Sequence, residues 1–365
     1  MTNLRLKIKN QKLKITFILP GFISIPMGGV KVVHEYANQL SRKGHDITLV
    51  YPEQLQINLL YRFKKQVVKR YDALFGTERN LYYTPDPTVK VLVIKRIRAK
   101  YIPNGDAVIA VGWQTVEQVY KLPTVCGRKF YFLQSFETYF KNSKRILSTY
   151  HLPLIKITIS QWIIDQLSAI GEHAEGPLGN AINDNDFFIE SGNNERPIDI
   201  MMLYHPARIK GANEALAVLK TLKKQQPNLN VTMVTARRPV HLIPSWIKLE
   251  IRPTLEKLRF LYNSTKIFLH TSFWEGWPLP PMEAMACGCA IVAYRNRGVM
   301  EYLIHDVNAL LAPIGDRKTL ISQLNQLLQD AHRREKLAKQ GLKTVHQFSW
   351  ESSVSKFEDI ILKDA

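Results

Sequence analysis

The chain has 365 residues, more than one hydrophobic core usually supports, so two domains are expected. Hydrophobic residues make up 45% of the sequence, which excludes an intrinsically disordered or fibrous chain. The 50 lysines and arginines exceed the 31 aspartates and glutamates. The resulting net charge of +19 predicts an acidic partner: a nucleic acid, an anionic membrane face or a phosphate-bearing substrate.

Cysteine use and hydropathy favour a cytoplasmic protein. The three cysteines, Cys126, Cys287 and Cys289, are odd in number and two are closely spaced, which predicts reduced thiols. The apolar run over residues 15–19 is too short for a signal peptide. No stretch approaches the roughly 20 apolar residues that cross a bilayer. We therefore expect the chain either free in the cytoplasm or peripheral on the inner face of the membrane.

The first half predicts a doubly wound α/β domain. A buried strand over residues 14–19 is followed by a loop with the pair Gly28-Gly29, a helix over 30–43 and a strand over 47–50. This order is a βαβ unit, which forms a parallel sheet. Further strands are predicted at residues 90–94, 107–111, 129–133 and 155–159.

A second α/β series follows a Gly-, Asn- and Asp-rich segment at residues 176–196, which reads as a linker. The predicted fold is therefore α/β, with two Rossmann-like domains facing a cleft. Residues 320–365 have an almost continuous helical pattern, with a break at 348–350. The strands of this half are predicted at residues 198–203, 230–235, 267–269 and 290–293, with a helix at 212–224.

The most informative segment is a Gly- and Pro-rich loop that carries two acids, Glu275 and Glu283. It follows a strand and enters a helix at Pro280-Pro281, where proline is tolerated. Its backbone N–H groups and the helix N-terminus form a site for an anion such as a diphosphate. Glu283, expected in the first helical turn, can accept hydrogen bonds from two vicinal hydroxyls. A favourable first-turn acid would explain Glu283 alone, but not the second acid across the loop.

Glu275, seven intervening residues and Glu283, followed by Ala-Met-Ala-Cys-Gly, resemble the E-x7-E signature of retaining GT-B glycosyltransferases, specifically glycosyltransferase family 4. The resemblance implies that Glu283 binds the ribose of a nucleotide-sugar donor and that Glu275 lies beside the transferred sugar.

The same resemblance implies that the backbone of Gly276, Trp277 and Leu279 holds the sugar and phosphate. Pro278 departs from the family pattern because it has no N–H to donate. The contact expected at that position is therefore either missing or supplied by Leu279.

A basic loop after the first strand of the second half resembles the diphosphate-binding loop of that family. Lys210 and Gly211 match its Lys-Gly pair. The family's arginine lies further upstream, where this chain has Tyr204 and His205, so Arg208 is expected to replace it. With Lys210, it would stabilise charge on the leaving nucleotide, and His205 is expected at the donor. The alternative is a solvated basic loop before a helix.

Three segments of the first half resemble the family more loosely. Gly29, in the first strand–helix loop, is expected to line the site near the reacting sugar and diphosphate, although a tight turn explains the glycine pair equally well. The histidine that the family often has near Trp113 is not evident. The segment from Gln134 to Glu137 resembles a stretch in family members acting on rhamnose-containing polysaccharides. Glu137 is thus either an acceptor-side residue or a surface acid at a strand end.

The resemblance also implies the domain organisation. Residues 297–311 resemble the segment after the E-x7-E helix, and residues 348–351 resemble a C-terminal signature after which the last helix crosses back to the N-terminal domain. We therefore predict an acceptor-side domain over residues 1–185, a nucleotide-sugar-binding domain over 186–347 and a returning helix over 348–365.

No metal site or cofactor is expected. An Asp-x-Asp motif after a strand is missing, because Asp184 and Asp186 fall in the linker, and histidine and cysteine spacing offers no zinc site. The prediction is a retaining, metal-independent transfer of a hexosyl group in polysaccharide biosynthesis. The donor would be a UDP-, GDP- or dTDP-hexose and the acceptor a glycan or polyprenyl-linked glycan, as in bacterial rhamnan or other polysaccharide glycosyltransferases.

Three basic segments, residues 5–14, 62–70 and 95–100, suggest contact with an anionic membrane, with a soluble cationic face as the alternative. One rival function is another enzyme of the same fold, such as a nucleotide-sugar epimerase or a sugar phosphorylase. A basic nucleic-acid-binding module is a second rival. No zinc finger, aromatic platform or recognition-helix pattern supports the second, so no nucleic-acid partner is expected.

Overall fold

The computed structural model describes residues 11–21, 28–55, 84–138, 143–190, 195–239 and 242–363. The chain divides into two compact units. Unit 1 comprises Met1–Gly179 with Trp350–Ala365, and unit 2 comprises Asn180–Ser349. Within the described ranges, each unit is built on one six-stranded sheet whose strands are all parallel.

The sheet of unit 1 has the strand order β3-β2-β1-β4-β5-β6. Its strands are β1 (Lys14–Ile18), β2 (Asp46–Pro52), β3 (Lys90–Ile94), β4 (Ala107–Val111), β5 (Arg128–Leu133) and β6 (Ile155–Thr158). Its helices are α1 (Gly28–Arg42), α2 (Trp113–Tyr120), α3 (Ser143–Tyr150) and α4 (Gln161–Ser168), with 3₁₀ turns at Ala99–Tyr101 and Thr124–Cys126.

The sheet of unit 2 has the order β12-β11-β10-β7-β8-β9, which repeats the order of unit 1 when its strands are counted from the first. Its strands are β7 (Ile198–Tyr204), β8 (Val231–Thr235), β9 (Ile247–Ile251), β10 (Thr265–His270), β11 (Ala290–Tyr294) and β12 (Leu310–Ala312). Its helices are α5 (Ala212–Gln225), α6 (Leu255–Asn263), α7 (Leu279–Ala286), α8 (Arg317–Gln329) and α9 (Ala331–Val345), with 3₁₀ turns at Arg208–Lys210 and Val299–Glu301.

The predicted fold class, α/β with two doubly wound domains, is confirmed. Strands such as β4 and β11 are buried along their whole length, because helices cover both faces of a parallel sheet. That is why they read as unbroken apolar runs. Two strands were missed: β9 lies at the sheet edge and is half polar, and β12 has only three residues.

The last helix, α10 (Trp350–Leu362), belongs to unit 1. Phe357 packs its ring against Phe17 of β1 and Tyr36 of α1, with centroid separations of 5.8 and 5.2 Å. Glu358 forms an ion pair with Lys43 and lies 2.9 Å from Nε2 of His45. The helical pattern before it has a further break that the sequence analysis missed, at Asp330, which caps α9 through the backbone N–H of Arg333.

The strand order reverses beside the first strand of each sheet, between β1 and β4 in unit 1 and between β7 and β10 in unit 2. Loops leaving the carboxyl ends of these strands part to opposite faces and open a crevice where open α/β sheets bind ligands. None of the helices in the described ranges has the length and apolar character that crossing a bilayer requires. The basic segment 62–70 and residues 5–10 lie outside the described residues.

Candidate functional site

An ion pair occupies the crevice of unit 2. Lys210 leaves the carboxyl end of β7 in the 3₁₀ turn Arg208–Lys210, and Glu275 lies in the loop after β10. The Lys210 Nζ atom is 2.8 Å from each carboxylate oxygen of Glu275. Two residues that are far apart in sequence are thus joined at the point where the strand order reverses.

The two loops that carry this pair are tied together through their backbones. The backbone N–H of Phe273 donates to the carbonyl of Ile209 at 2.7 Å, and the Thr271 hydroxyl donates to the carbonyl of Gly211 at 2.9 Å. Gly211 has a φ of +65°, and a Cβ there would lie 1.9 Å from the Thr271 carbonyl oxygen. Only glycine fits this contact, so Gly211 fixes how closely the Lys210 loop approaches the Glu275 loop.

Glu275 is held in its ionised form. Burial by itself would raise the pKa of this carboxyl, but the attraction of the Lys210 ammonium and hydrogen bonds from Lys210 and Ser272 lower the pKa below its ordinary value. The side chain is 11% exposed, and that of Lys210 is 33% exposed. The pair is therefore partly open to solvent and can be reached by a ligand.

His270, the last residue of β10, was not identified from the sequence. Its Nε2 atom is buried, makes no hydrogen bond and lies 3.9 Å from Oε1 of Glu275. Burial lowers the pKa of this imidazole to about 4, which keeps it neutral near pH 7. A histidine at the last position of a strand in a nucleotide-binding type of sheet was the available signal.

Helix α7 starts immediately after the Glu275 loop, and Pro278 is its N-cap residue. Two of its first three residues, Pro280 and Pro281, have no backbone N–H, so Leu279 alone among the three can donate one. The anion site expected at this helix start therefore has fewer donors than a typical helix N-terminus.

The side chains of Trp277 and Leu279 are buried and take part in packing. The Trp277 indole N–H contacts the Met282 sulfur at 3.0 Å, and its ring lies against Tyr302. Gly276 is buried as well. Any contact of these predicted donor-binding residues with a ligand would use their backbones.

Glu283 lies in the second turn of α7, not in the first turn as predicted, because the helix starts at Leu279. The side chain is buried, and its Oε2 atom accepts a hydrogen bond from the Tyr262 hydroxyl at 3.2 Å. Tyr262, which the sequence analysis missed, comes from α6 and orients this carboxylate.

A third loop, after β11, supports the first two. Asn296 donates through Nδ2 to the Ser272 carbonyl at 2.9 Å, and the Tyr302 hydroxyl donates to the Pro278 carbonyl at 2.6 Å. A Cβ on Gly298 would lie 2.7 Å from the carbonyl oxygen of Glu275. The resemblance had indicated this segment, but neither Asn296 nor Tyr302 was singled out.

Arg208 and His205 are both exposed and line a cavity of about 180 Å³ beside the start of α5. Within the part of the chain that the structure describes, the Arg208 guanidinium makes no hydrogen bond or ion pair. His205 accepts a hydrogen bond at Nδ1 from the backbone N–H of Ala207 at 3.1 Å. Arg208 is thus a cation without a protein partner among these residues, and it lies two residues before Lys210 in sequence.

In unit 1, the predicted residues lie at the carboxyl ends of the strands. Gly29 is in the first turn of α1, and its carbonyl accepts a hydrogen bond from the Gln134 amide at 3.0 Å. Glu137 is half-buried, not an exposed acid at a strand end. Burial raises its pKa to about 7, although a hydrogen bond from the Trp113 backbone opposes this. Its own backbone N–H donates to the Tyr150 hydroxyl at 2.9 Å.

The described residues contain no cluster of three or more His, Cys, Asp or Glu side chains arranged to hold a metal ion. The three cysteines are unpaired and buried. Burial raises the pKa of Cys289 to about 12, and burial also raises that of Cys287. These thiols are therefore protonated near pH 7.

A model of a known protein family matches part of this chain. The family model described as "Glycosyl transferases group 1" matches residues 183–344, which lie within unit 2. O-antigen chain mannosyltransferase B of Escherichia coli is 35% identical over 101 residues, which are 28% of this chain and 26% of that protein. The chain thus spans well under a third of the length of that curated relative.

Two solved structures share the whole fold. Sucrose-phosphate synthase from Thermosynechococcus elongatus superposes with a TM-score of 0.73 at 14% identity, over 95% of this chain and 98% of that one. HepE of Anabaena, solved in complex with UDP-glucose, also has a TM-score of 0.73 at 14% identity, over 96% of this chain and 100% of that one. Together, the comparisons show the GT-B fold and a match of residues 183–344 to a glycosyltransferase family model.

Proposed function

We propose that this GT-B chain, which carries a glycosyltransferase group 1 domain, is a retaining, metal-independent glycosyltransferase of family 4. It would move a hexosyl group from a nucleotide-sugar to a glycan or polyprenyl-linked acceptor in polysaccharide biosynthesis. The observation that carries the proposal is the Lys210–Glu275 ion pair in the crevice of unit 2. A cation and an ionised acid at this place suit a ligand with a diphosphate at one end and sugar hydroxyls at the other.

The donor diphosphate would replace Glu275 as the partner of Lys210. Arg208, exposed and two residues earlier, would supply a second cation. Negative charge grows on the leaving nucleotide as the bond to the sugar breaks, and two cations beside it stabilise the transition state more than the ground state. With prolines at two of the first three positions of α7, these cations carry more of the phosphate binding than the helix start does.

Glu275 and Glu283 would bind the two ends of the donor. Glu275 would accept hydrogen bonds from hydroxyls of the transferred sugar, with the Gly276 backbone alongside. Glu283 would accept hydrogen bonds from the ribose through oxygen lone pairs that Tyr262 leaves available. Because Glu283 is only 6% exposed, its ribose contact would be well shielded from water. The buried positions of Trp277 and Leu279 favour backbone contacts to sugar and phosphate, and His205 lines the cavity beside the start of α5.

The acceptor is proposed to meet unit 1. Glu137 has a pKa of about 7, so it can accept a proton from an acceptor hydroxyl or stay neutral and donate one. Gly29 begins a helix whose first turn leaves backbone donors for an anionic group. The relative named for O-antigen chains supports an acceptor of the polysaccharide type.

Contact with an anionic membrane is part of the proposal. The edge strand β3 exposes Val93 to 53%, and the exposed Lys95, Arg98 and Lys100 follow it. Exposed apolar side chains beside cations suit the inner leaflet, where a polyprenyl-linked acceptor is embedded. Co-sedimentation with vesicles containing phosphatidylglycerol, but not with phosphatidylcholine vesicles, is expected. Equal recovery with both would remove the membrane from the proposal.

The central experiment measures nucleotide binding. Thermal unfolding with UDP, GDP or dTDP at 1 mM, in EDTA, should show stabilisation by one of the three. Lys210→Ala should weaken that binding by about 100-fold, since a charge-assisted contact contributes about 1.5–3 kcal/mol. Lys266→Ala is the matched control: Lys266 is 34% exposed and pairs with Asp199 at the opposite ends of the same two strands. Failure of all three nucleotides to bind would refute the proposed function.

Hydrolysis of the matching nucleotide-sugar tests the reaction class. Wild-type protein should release the free sugar slowly, with the anomeric configuration of the donor kept in the first product seen by NMR. Glu283→Ala should raise the donor KM, and Lys210→Ala should abolish release. Interconversion of the sugar without nucleotide release would indicate an epimerase instead.

A further inference from the structure

The most unusual group in the crevice of unit 2 is the unpaired nitrogen of His270. Buried polar atoms almost always have a hydrogen-bond partner, because leaving one unpaired costs about 1–3 kcal/mol. The Nε2 atom of His270 is buried, has no such partner and faces Glu275 Oε1 across 3.9 Å. That distance is too long for a hydrogen bond but needs only a small movement of the carboxylate to become one.

His270 Nε2 and Glu275 Oε1 stay apart because Lys210 contacts both carboxylate oxygens of Glu275. Its ammonium is equidistant, at 2.8 Å, from both carboxylate oxygens. A carboxylate held by a cation in this way is not drawn towards a neutral imidazole. The charged groups that act on His270 are Glu275, from its own loop, and Lys210, from the loop after β7. The flat face of the ring is fixed by Phe268, which is stacked on it at 6.5 Å.

We propose that His270 is the positioning residue that takes over Glu275 when an anionic ligand draws Lys210 away. In this exchange the Nε2–H of His270 donates to Glu275 Oε1, while the Lys210 ammonium contacts the ligand's phosphate. Glu275 thereby stays ionised and in place, although the negatively charged phosphate repels it. The inference rests on the proposed function for the identity of that ligand, a nucleoside diphosphate.

The exchange has a consequence that a packing role would not have. Near pH 7 the imidazole is neutral, because burial lowers its pKa to about 4 and Lys210 adds to this by repelling a second positive charge. Once Lys210 is removed or contacts a phosphate, its repulsion no longer opposes the attraction between the Glu275 carboxylate and a protonated His270. The pKa of His270 must then rise.

Histidine-selective ¹⁵N NMR of the full chain measures this pKa directly. We expect Lys210→Met to raise it from about 4 to about 5 or higher, and saturating UDP, GDP or dTDP, whichever binds, to raise it in wild-type protein. Glu275→Gln, combined with Lys210→Met, should remove the rise. His34 is the internal control, because it is also buried, has a pKa of about 4 and belongs to unit 1. Its titration should not change in any of these samples.

Activity gives an independent readout. In the nucleotide-sugar hydrolysis assay, His270→Phe keeps the stacked ring but has no donor, and kcat should fall about tenfold with the donor KM unchanged. His270→Gln restores an N–H and should recover most of kcat.

The outcomes separate the two proposals. If Lys210→Met raises the pKa of His270 but no nucleotide binds, the coupling among the three residues stands and the donor assignment fails. If a nucleotide binds and the pKa of His270 does not move, or if His270→Phe and His270→Gln lose activity equally, the positioning role is overturned.

Discussion

In both units the strand order reverses beside the first strand, between β1 and β4 in unit 1 and between β7 and β10 in unit 2. The same topology therefore opens a crevice at the carboxyl ends of both sheets. The chemistry placed there differs. Unit 2 has the ionised pair of Lys210 and Glu275, whereas unit 1 has Glu137, an acid that burial brings to a pKa of about 7.

This difference shows that the fold supplies the place and the loops supply the function. In unit 2, cations beside the crevice suit a charged diphosphate. In unit 1, an acid that is half-protonated near neutral pH suits a hydroxyl, which is neutral and has a proton to exchange. The proposed function assigns the donor to unit 2 and the acceptor to unit 1 on this basis. The predictions that follow test this division, starting with the largest effect.

The close contact between the Lys210 and Glu275 loops should make Gly211 far less tolerant of a β-carbon than a left-handed glycine whose surroundings are open. Gly211→Ala should destabilise unit 2 by about 3–4 kcal/mol, because the new Cβ meets the Thr271 carbonyl and the backbone is left-handed. Gly171→Ala is the matched control: its φ of +80° is also left-handed, but no atom in the described part of the chain lies within 4 Å of the new Cβ. It should cost only about 1 kcal/mol. Urea unfolding of both variants measures this, and equal losses would contradict the role assigned to Gly211.

The C-terminal helix should depend on Glu358 in a pH-dependent way. Burial alone would raise the pKa of Glu358, but its bonds to Lys43 and His45 lower it. A depressed carboxyl pKa contributes stability above the unfolded value, and that stability is lost as the pH falls through the folded value. Glu358→Gln should therefore destabilise unit 1 by about 2 kcal/mol at pH 7 and less at about pH 3, below the unfolded carboxyl pKa. Urea unfolding at the two pH values tests this, with nucleotide binding by unit 2 expected to be unchanged. The same loss at both would argue against an ionised Glu358.

The backbone behind Glu275 should also be sensitive. Gly298→Ala would bring a Cβ to 2.7 Å from the Glu275 carbonyl oxygen, and the acid would have to shift. We expect kcat for donor hydrolysis to fall about tenfold with little change in nucleotide binding. Gly28→Ala serves as the control in unit 1, because the added Cβ meets no atom of the described residues within 4 Å. Normal turnover by Gly298→Ala would show that the position of Glu275 is not critical.

The smallest effect is expected at Glu137. If Glu137 takes the proton of the acceptor hydroxyl, the rate of transfer should rise with pH through an apparent pKa near 7. Glu137→Gln should not show this rise and should be about threefold slower than wild type at pH 8. Burial of the Glu137 carboxyl also makes the free energy of unfolding depend on pH. Its raised pKa favours folding at low pH, and this contribution is lost as the pH rises to about 7, so Glu137→Gln should be the more stable protein at pH 8. An unchanged pH–rate profile would exclude Glu137 from proton transfer.

Local sequence determined much of the architecture. The strand β4 and the start of α5 were predicted at their observed bounds, because buried parallel strands are unbroken apolar runs and a helix has its own period. The edge strand β3 was also predicted at its observed bounds, because four of its five residues are apolar although most of them are exposed. The loop from Glu275 to Glu283 could also be identified, since both acids and the turn residues between them are adjacent in the chain. The edge strand β9 was missed, because polar residues interrupt its short apolar pattern.

Only the tertiary structure decided which of these residues meet. Lys210 and Glu275 are distant in sequence and become partners because parallel pairing puts β7 beside β10 with their carboxyl ends together. Burial, which sets the pKa of Glu137 and leaves the His270 nitrogen unpaired, is a property of the packed chain and is not written in any short segment. The residue types are local information, whereas charge state and hydrogen-bond partners depend on what surrounds each group after folding.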